Sequence, residues 1–164
     1  VPRFELLSRE HDREHFDCGV EPMNAYLRQT ARQHQERGIS RTFILTEDGK
    51  TVFGFFTLAA TEGFAGDLPS AITKRLPSRI PAVILARLAV DVRHQRRGYG
   101  AALLAEAFLR VASASNQLGI AGLFVDAKDE QAAAYYRKFG FVPFVSNSRR
   151  LFLPLASIRS FLAD

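Results

Sequence analysis

The stretch Gln95-Arg96-Arg97-Gly98-Tyr99-Gly100 has the residue types and spacing to hold an anion. Upstream, Leu85, Arg87, Ala89 and Asp91 alternate with Ala86, Leu88, Val90 and Val92, and the second set is wholly apolar. That pattern predicts a strand with at least one buried face. Downstream, Leu103, Leu104, Ala107, Phe108 and Val111 recur at helical spacing, so a helix is expected to begin near Gly98. A helix start leaves about four backbone N–H groups without partners and carries roughly half a positive charge, both suited to phosphate. Gly98 and Gly100 let a ligand approach the main chain, and Arg96 and Arg97 add full charges at the rim. By itself, a Gly-x-Gly also fits an ordinary strand-to-helix connection.

Metal and disulfide chemistry find little support. Cys18 is the single cysteine, so no internal disulfide framework is possible, and it is expected to be simply packed. Four scattered histidines show no zinc spacing, and no metal is expected. The chain has 22 Lys and Arg against 17 Asp and Glu, a net charge of +5, with arginine dominating. Such a composition suits phosphate-rich partners such as coenzyme A or nucleic acid, and equally a basic solvated surface.

The elements that must position these residues follow from periodicity and breakers. A length of 164 residues suits one domain, 1–164. No apolar run is long enough for a bilayer and no signal-peptide pattern opens the chain, so a cytoplasmic protein without a membrane partner is expected. Residues 3 to 8 read as a first strand. A helix is expected from Glu21-Pro22 to Gly38, with Met23, Tyr26, Leu27, Thr30, Ala31 and His34 on one stripe. Ser40 to Thr46 reads as a strand, Glu47 to Lys50 as a hairpin turn and Thr51 to Thr61 as the antiparallel partner. A long connection from Glu62 to Pro81, with a short helix over Ser70 to Leu76, is expected to border the site. Ile120 to Asp126 reads as a strand and Glu130 to Phe139 as a helix capped by Asp129 and stopped by Gly140. Phe141 to Val145 and Arg149 to Leu155 read as a closing strand pair. The final segment, with Leu155, Ile158, Phe161 and Leu162 at helical spacing, is expected to pack on the core.

Two motifs in this order carry a resemblance. Gln95 to Gly100, between a Leu-x-Val strand and a long helix, resembles the Arg/Gln-x-x-Gly-x-Gly/Ala signature of GNAT superfamily N-acetyltransferases. Ala132-Ala133-Ala134-Tyr135-Tyr136-Arg137-Lys138-Phe139-Gly140-Phe141 resembles that superfamily's late helix, usually Ala-x-x-Phe-Tyr-x-x-x-Gly-Phe. The resemblance covers about residues 40 to 155. It implies an α/β (α+β) fold with a mixed central sheet of six to seven strands, about four flanking helices and splayed central parallel strands. It also implies acetyl-CoA as cosubstrate, held by Gln95, Arg96, Arg97, Gly98, Tyr99 and Gly100 and by main-chain groups of Leu88, Ala89 and Val90. Diverging parallel strands stop satisfying each other's N–H and C=O groups, and an amide-bearing ligand can replace the missing partner; a bulge near Ala89 would produce the divergence.

The reaction implied is attack of an amine on a thioester, which needs a donor for the oxyanion and a proton for the leaving sulfur. The resemblance points to the Val90 N–H for the first and to Tyr136 for the second. Tyr135 and Tyr136 are adjacent, hence about 100° apart on a helix, and the motif position selects Tyr136. Core packing is the alternative for both rings. A phenol of pKa about 10 against a thiol near 8.5 makes full transfer uphill by roughly 2 kcal/mol, so a hydrogen bond suffices.

Phe16-Asp17-Cys18-Gly19, Ser40-Arg41-Thr42-Phe43 and Ile80-Pro81 leading into Arg87-Leu88-Ala89-Val90-Asp91 resemble the acetyltransferase toxins of bacterial toxin–antitoxin modules, the TacT/AtaT type. That likeness implies acetylation of aminoacyl-tRNA, a cognate antitoxin and a homodimer. An aminoacyl ester's amine has a pKa at or below about 8, so no strong base is needed, whereas a lysine near 10.4 would need one. Glu62 is the sole loose candidate for such a base. Arg41, Arg75, Arg79, Arg87, Arg93, Arg149 and Arg150 are candidates for tRNA phosphates. An acetyltransferase of small-molecule or protein amines and a non-catalytic coenzyme A binding protein remain as alternatives.

Overall fold

The computed structural model describes residues 1–163. Seven strands, β1 (Arg3–Leu6), β2 (Arg41–Thr46), β3 (Gly54–Phe64), β4 (Arg79–Val90), β5 (Gly122–Asp126), β6 (Val142–Pro143) and β7 (Arg150–Pro154), form one mixed sheet. Its order is β1-β2-β3-β4-β5-β7-β6. The helices are α1 (Glu21–Ala25), α2 (Ala31–Glu36), α3 (Ser70–Thr73), α4 (Tyr99–Ala114), α5 (Glu130–Arg137) and α6 (Leu155–Ala163). A π-helical turn, Tyr26–Thr30, joins α1 to α2. By packing the chain divides into two compact units, Val1–Ala59 with Ala86–Ala107, and Ala60–Leu85 with Phe108 onward.

In the first unit β1 runs antiparallel to β2, and β2 antiparallel to β3 with Leu45 opposite Gly54. Leu27 and Ala31, from the expected stripe, are fully buried against Phe16, Ile44, Phe55 and Ala89. Glu21 and Pro22 open α1 as their types dictate, and Gly38, at φ 73°, ends the helical segment. Two polar side chains stitch the helices down. Gln35 donates to the Leu7 carbonyl at 2.9 Å and accepts from the Thr42 N–H at 3.0 Å. Asn24, buried, accepts from the Cys18 N–H at 2.9 Å and donates to Asp17 at 3.0 Å. Cys18 itself packs against the core, with its thiol 3.6 Å from the Val20 carbonyl.

The β2–β3 connection departs from the expected four-residue hairpin turn. Thr51 is not a strand residue, because the Asp48 carboxylate gathers the Lys50 and Thr51 N–H groups and the Thr51 hydroxyl at 2.7–2.8 Å. Those donors, led by the Lys50 N–H, hold the Asp48 pKa well below the usual carboxylate range. The loop therefore closes on a side chain, and β3 begins and ends three residues later than the Thr51 to Thr61 reading.

In the second unit β4 is parallel to β5, which pairs antiparallel with β7, as β6 does. Ile80, Ala82, Phe124, Phe144 and Phe152 are buried together, with Ile72 and Leu76 packed on them. The connection between β3 and β4 is thus tied down by its apolar residues and is shorter than Glu62 to Pro81, since β3 continues to Phe64 and β4 starts at Arg79. Phe108 of α4 meets Phe139, Phe141 and Phe161 with centroids 5.1–6.5 Å apart, so α6 does pack, through Phe161 and the fully buried Ile158. Six helices stand where about four were expected, because the Glu21 to Gly38 helix is divided at the π-helical turn and the last segment, read at helical spacing, forms α6.

Gly122 is tight against the backbone of the neighbouring strand. A Cβ there would collide with the Leu153 carbonyl oxygen and lie 2.7 Å from the Phe152 ring. The carbonyl belongs to the paired strand and cannot swing aside, so Gly122→Ala is expected to cost about 3 kcal/mol. A scan of thermal unfolding should show Tm lowered by roughly 5–10 °C; an unchanged Tm would refute the steric argument.

Candidate functional site

The end of β4 inverts the burial expected from its alternation. Leu85, Ala89 and Asp91 are the buried positions, at 3%, 8% and 0% exposure, while Val92 is 46% exposed and Ala86, Leu88 and Val90 are half-buried. A buried carboxylate among apolar neighbours must be compensated. Asp91 accepts from the Arg93 N–H and Nε at 2.9 Å, from Arg93 Nη2 at 2.9 Å and from the Asp17 N–H at 3.0 Å. Burial alone would push its pKa up; the Arg93 guanidinium and these N–H groups outweigh that and hold it at about 2. Arg93 also reaches the His15 carbonyl at 2.8 Å, and the Val92 N–H donates to the Asp17 carbonyl at 2.7 Å.

After this anchor come a 3-10 turn, Val92–His94, and the anion-binding candidate. Arg96 has φ 64° and Gly98 φ 79°, both left-handed. Gln95 before them is extended (φ −70°, ψ 161°), so the two left-handed residues turn the chain sharply from the end of β4 toward α4. Gln95, Arg96, Arg97 and Gly98 are exposed there, and α4 starts at Tyr99 as expected. The Tyr99 ring is parallel to Phe53 at 5.7 Å, with His94 stacked on Phe53 at 4.1 Å. Leu103, Leu104 and Ala107 are fully buried and anchor the helix behind the turn.

Parallel pairing of β4 with β5 covers only Val83, Ile84 and Leu85, opposite Leu123, Phe124 and Val125. It stops four residues before Ala89, earlier than the bulge position expected from sequence. The Asp91 N–H donates to Phe53 on the β3 side at 2.9 Å. Main-chain groups alternate along a strand, so the Val90 N–H and C=O face away from β3. The Gln95 side chain donates to that Val90 carbonyl at 3.2 Å, and by the same alternation the Val90 N–H points the same way. Gly54 permits this arrangement: a Cβ would sit 2.9 Å from the Ala89 carbonyl and 2.9 Å from a Leu103 methyl. Sequence reasoning missed Gly54, Gln95's inward bond and the Asp91 anchor. The signal for the last was an acid on the strand's supposed outer face, two residues before an arginine.

Tyr136 stands on α5 in the second unit. Asp129 caps this helix through the Ala132 N–H at 2.8 Å, and Gly140, at φ 97°, ends it. The Tyr136 ring lies 5.4 Å from Phe141 and 5.7 Å from Tyr135, whose own ring meets Phe139 at 5.2 Å. The adjacent tyrosines thus turn to different aromatic neighbours. Burial, with the neighbouring Tyr135 adding to it, raises the Tyr136 pKa to about 12, so the phenol stays neutral.

The seven candidate arginines are not equivalent. Arg79 pairs with Glu62 at 3.2 Å, Arg93 with Asp91, Arg149 with Glu130 at 3.6 Å and Arg150 with Asp126 at 2.9 Å. Glu62, the loose base candidate, is therefore engaged by Arg79. Arg41 and Arg75 are exposed, and Arg87 lies with its guanidinium 4.4 Å from the Tyr26 ring centroid. Among the described residues no cluster of three His, Cys, Asp or Glu could hold a metal ion. No described helix is long and apolar enough to cross a membrane.

Comparison with known proteins places this geometry. Residues 38–143 match the model of the acetyltransferase (GNAT) domain. A probable toxin TacT from Sinorhizobium fredii (strain NBRC 101917 / NGR234) is 33% identical over 167 residues, covering 96% of this chain and 92% of that protein. The solved structure of AtaT complexed with acetyl-methionyl-tRNAfMet superimposes with a TM-score of 0.89 at 37% identity, covering 99% of both chains. A tyrosine-to-phenylalanine AtaT variant, solved with acetyl-CoA and the C-terminus of the antitoxin AtaR, gives 0.84 at 34% identity over 99% of both chains.

Proposed function

We propose, for a chain that belongs to the GNAT acetyltransferase family, that it moves the acetyl group of acetyl-CoA onto the α-amino group of aminoacyl-tRNA and so acts as a toxin that blocks translation. The observation that carries the reading is the end of β4, where parallel pairing stops at Leu85 and an exposed, left-handed glycine turn opens α4. A pyrophosphate fits the N–H groups and arginines of Gln95 to Gly100, and an amide-bearing arm fits the main-chain edge of Leu88 and Val90 that faces away from β3, beside Ala89, whose carbonyl faces Gly54. The bound cosubstrate supplies the activated acetyl group; the remaining work falls to this chain's own groups.

In this reading the Val90 N–H faces the thioester oxygen and strengthens its hydrogen bond as negative charge develops there. Tyr136 is the proton donor to the departing sulfur. With a pKa of about 12, complete transfer to a thiolate near 8.5 is uphill by about 5 kcal/mol, rather than the roughly 2 kcal/mol of an unburied phenol. Tyr136 therefore works as a neutral hydrogen-bond donor whose proton shifts only as the C–S bond breaks. No carboxylate base is required, since an aminoacyl ester's amine is partly neutral at physiological pH. Engagement of Glu62 by Arg79 agrees with that economy.

The relatives support the substrate and partner classes: AtaT is described with acetyl-methionyl-tRNAfMet, with acetyl-CoA and with its antitoxin AtaR. A cognate antitoxin, a homodimeric state and a cytoplasmic site of action complete the proposal for this chain. The test is transfer of labelled acetyl from acetyl-CoA to total aminoacylated tRNA, beside a panel of free amines. Label on the aminoacyl end of tRNA is the expected result. Label on free amines alone would assign the chain to the general amine acetyltransferases instead.

A further inference from the structure

We propose that Arg87, held over the Tyr26 ring, binds a backbone phosphate of the RNA next to the acceptor amine; the inference rests on the aminoacyl-tRNA reading above. Four of the seven candidate arginines, Arg79, Arg93, Arg149 and Arg150, are already paired with carboxylates. Arg41 and Arg75 are exposed and solvated. Arg87 differs from both groups. It is half-buried, and among the described residues no carboxylate lies within ion-pair distance of it. A partly desolvated cation without a counter-charge is unfavourable, and an aromatic face relieves this only in part.

Its support is a built platform. The Arg87 guanidinium lies 4.4 Å from the Tyr26 centroid, and Nη1 donates to the Ala86 carbonyl at 2.8 Å. Tyr26 in turn stacks on Phe55 at 6.4 Å and 18°, with His34 edge-on at 6.3 Å. The ring sits at the start of the π-helical turn, where the Ala31 N–H reaches back to the Tyr26 carbonyl. Such turns concentrate at functional sites because they displace one residue from the regular helical surface. The planar group is thus fixed in orientation with donors left over, and a guanidinium edge matches phosphate in a bidentate fork.

Distance fits as well. Arg87 precedes Val90 by three residues of extended strand, about 10 Å, and its side chain shares the face of Ala89. The amine attacks where the Val90 N–H holds the thioester, and the phosphodiester nearest an aminoacylated ribose lies within a comparable reach.

Arg87→Gln and Tyr26→Leu, with Tyr26→Phe as the conservative variant, test the assignment. Total aminoacylated tRNA and an amino acid methyl ester, which presents the same kind of amine without phosphate, serve as acceptors. Arg87→Gln is expected to raise KM for aminoacyl-tRNA tenfold or more while kcat/KM for the methyl ester and KM for acetyl-CoA stay within twofold. Losing one phosphate contact should also flatten the slope of log(kcat/KM) against log salt by about 0.7–0.9. Tyr26→Leu should share the tRNA defect and Tyr26→Phe should not. Equal losses on both acceptors, an undiminished salt slope or unchanged tRNA kinetics would overturn the Arg87 assignment alone. Wild-type transfer to the ester with none to aminoacyl-tRNA would overturn the substrate reading and Arg87's role together.

Discussion

Tyr136→Phe is expected to lower kcat for acetyl transfer by about a hundredfold to a thousandfold, the range of a positioned proton donor, with KM for acetyl-CoA unchanged within twofold. The substitution removes one oxygen and keeps the ring, so the contacts with Phe141 and Tyr135 survive and a folding defect is not the cause of the loss. Burial raises the phenol to about 12, which fixes the sign of the pH dependence. The active, protonated form is fully present below the ordinary phenol value near 10 and declines only as pH approaches 12. Steady-state rates of the wild type should therefore rise as the acceptor amine deprotonates and show no alkaline fall up to about pH 10. A fall between pH 8 and 9 would mean that an unburied acid serves the sulfur, and a Phe variant with near-normal kcat would remove Tyr136 from the reaction.

The two-motif skeleton was legible because it depends on local chemistry. Glycines at left-handed positions, an aspartate before a helix and a 3.6-residue apolar stripe state their roles within a few residues, and Gly98, Gly140, Asp129 and the α4 core bore this out. What was illegible depends on partners distant in sequence. Binary patterning put Ala86, Leu88, Val90 and Val92 inside, because an aspartate and an arginine on the alternate set look solvated. Asp91 is buried since Asp17, 74 residues away, donates to it, and Arg93 folds back onto it. Thr51 read as a strand residue until Asp48 claimed its N–H and hydroxyl. The arginines posed the same difficulty. Their number suited a phosphate-rich partner and a solvated basic surface alike, and only three-dimensional pairing separates Arg150, matched to Asp126, from Arg87, set over an aromatic face.

Asp91→Ala is expected to destabilise the fold by about 3 kcal/mol and to raise KM for acetyl-CoA several-fold. The carboxylate gathers the Asp17 and Arg93 N–H groups and the Arg93 guanidinium, and its loss takes the acceptor from several part-buried donors, at up to about 1–3 kcal/mol each. The segment Val92–His94 that these bonds hold leads directly into the exposed Gln95 to Gly98 turn, so loosening it spreads the N–H groups that would converge on pyrophosphate. Asp91→Asn isolates the charge. The folded pKa of about 2 lies below the ordinary aspartate value, so this charge stabilises the protein above about pH 4, and that contribution is lost as pH falls toward 2. Because Arg93 is 59% exposed, solvent screening reduces the term to about 1–2 kcal/mol. Urea unfolding at a series of pH values should find Asp91→Asn less stable than wild type by that amount at pH 7 and nearly equal to it near pH 2. A difference that stays constant across the series would show that Asp91 acts through shape and hydrogen bonding alone, with its charge contributing nothing to the anchor of the Gln95 to Gly98 turn.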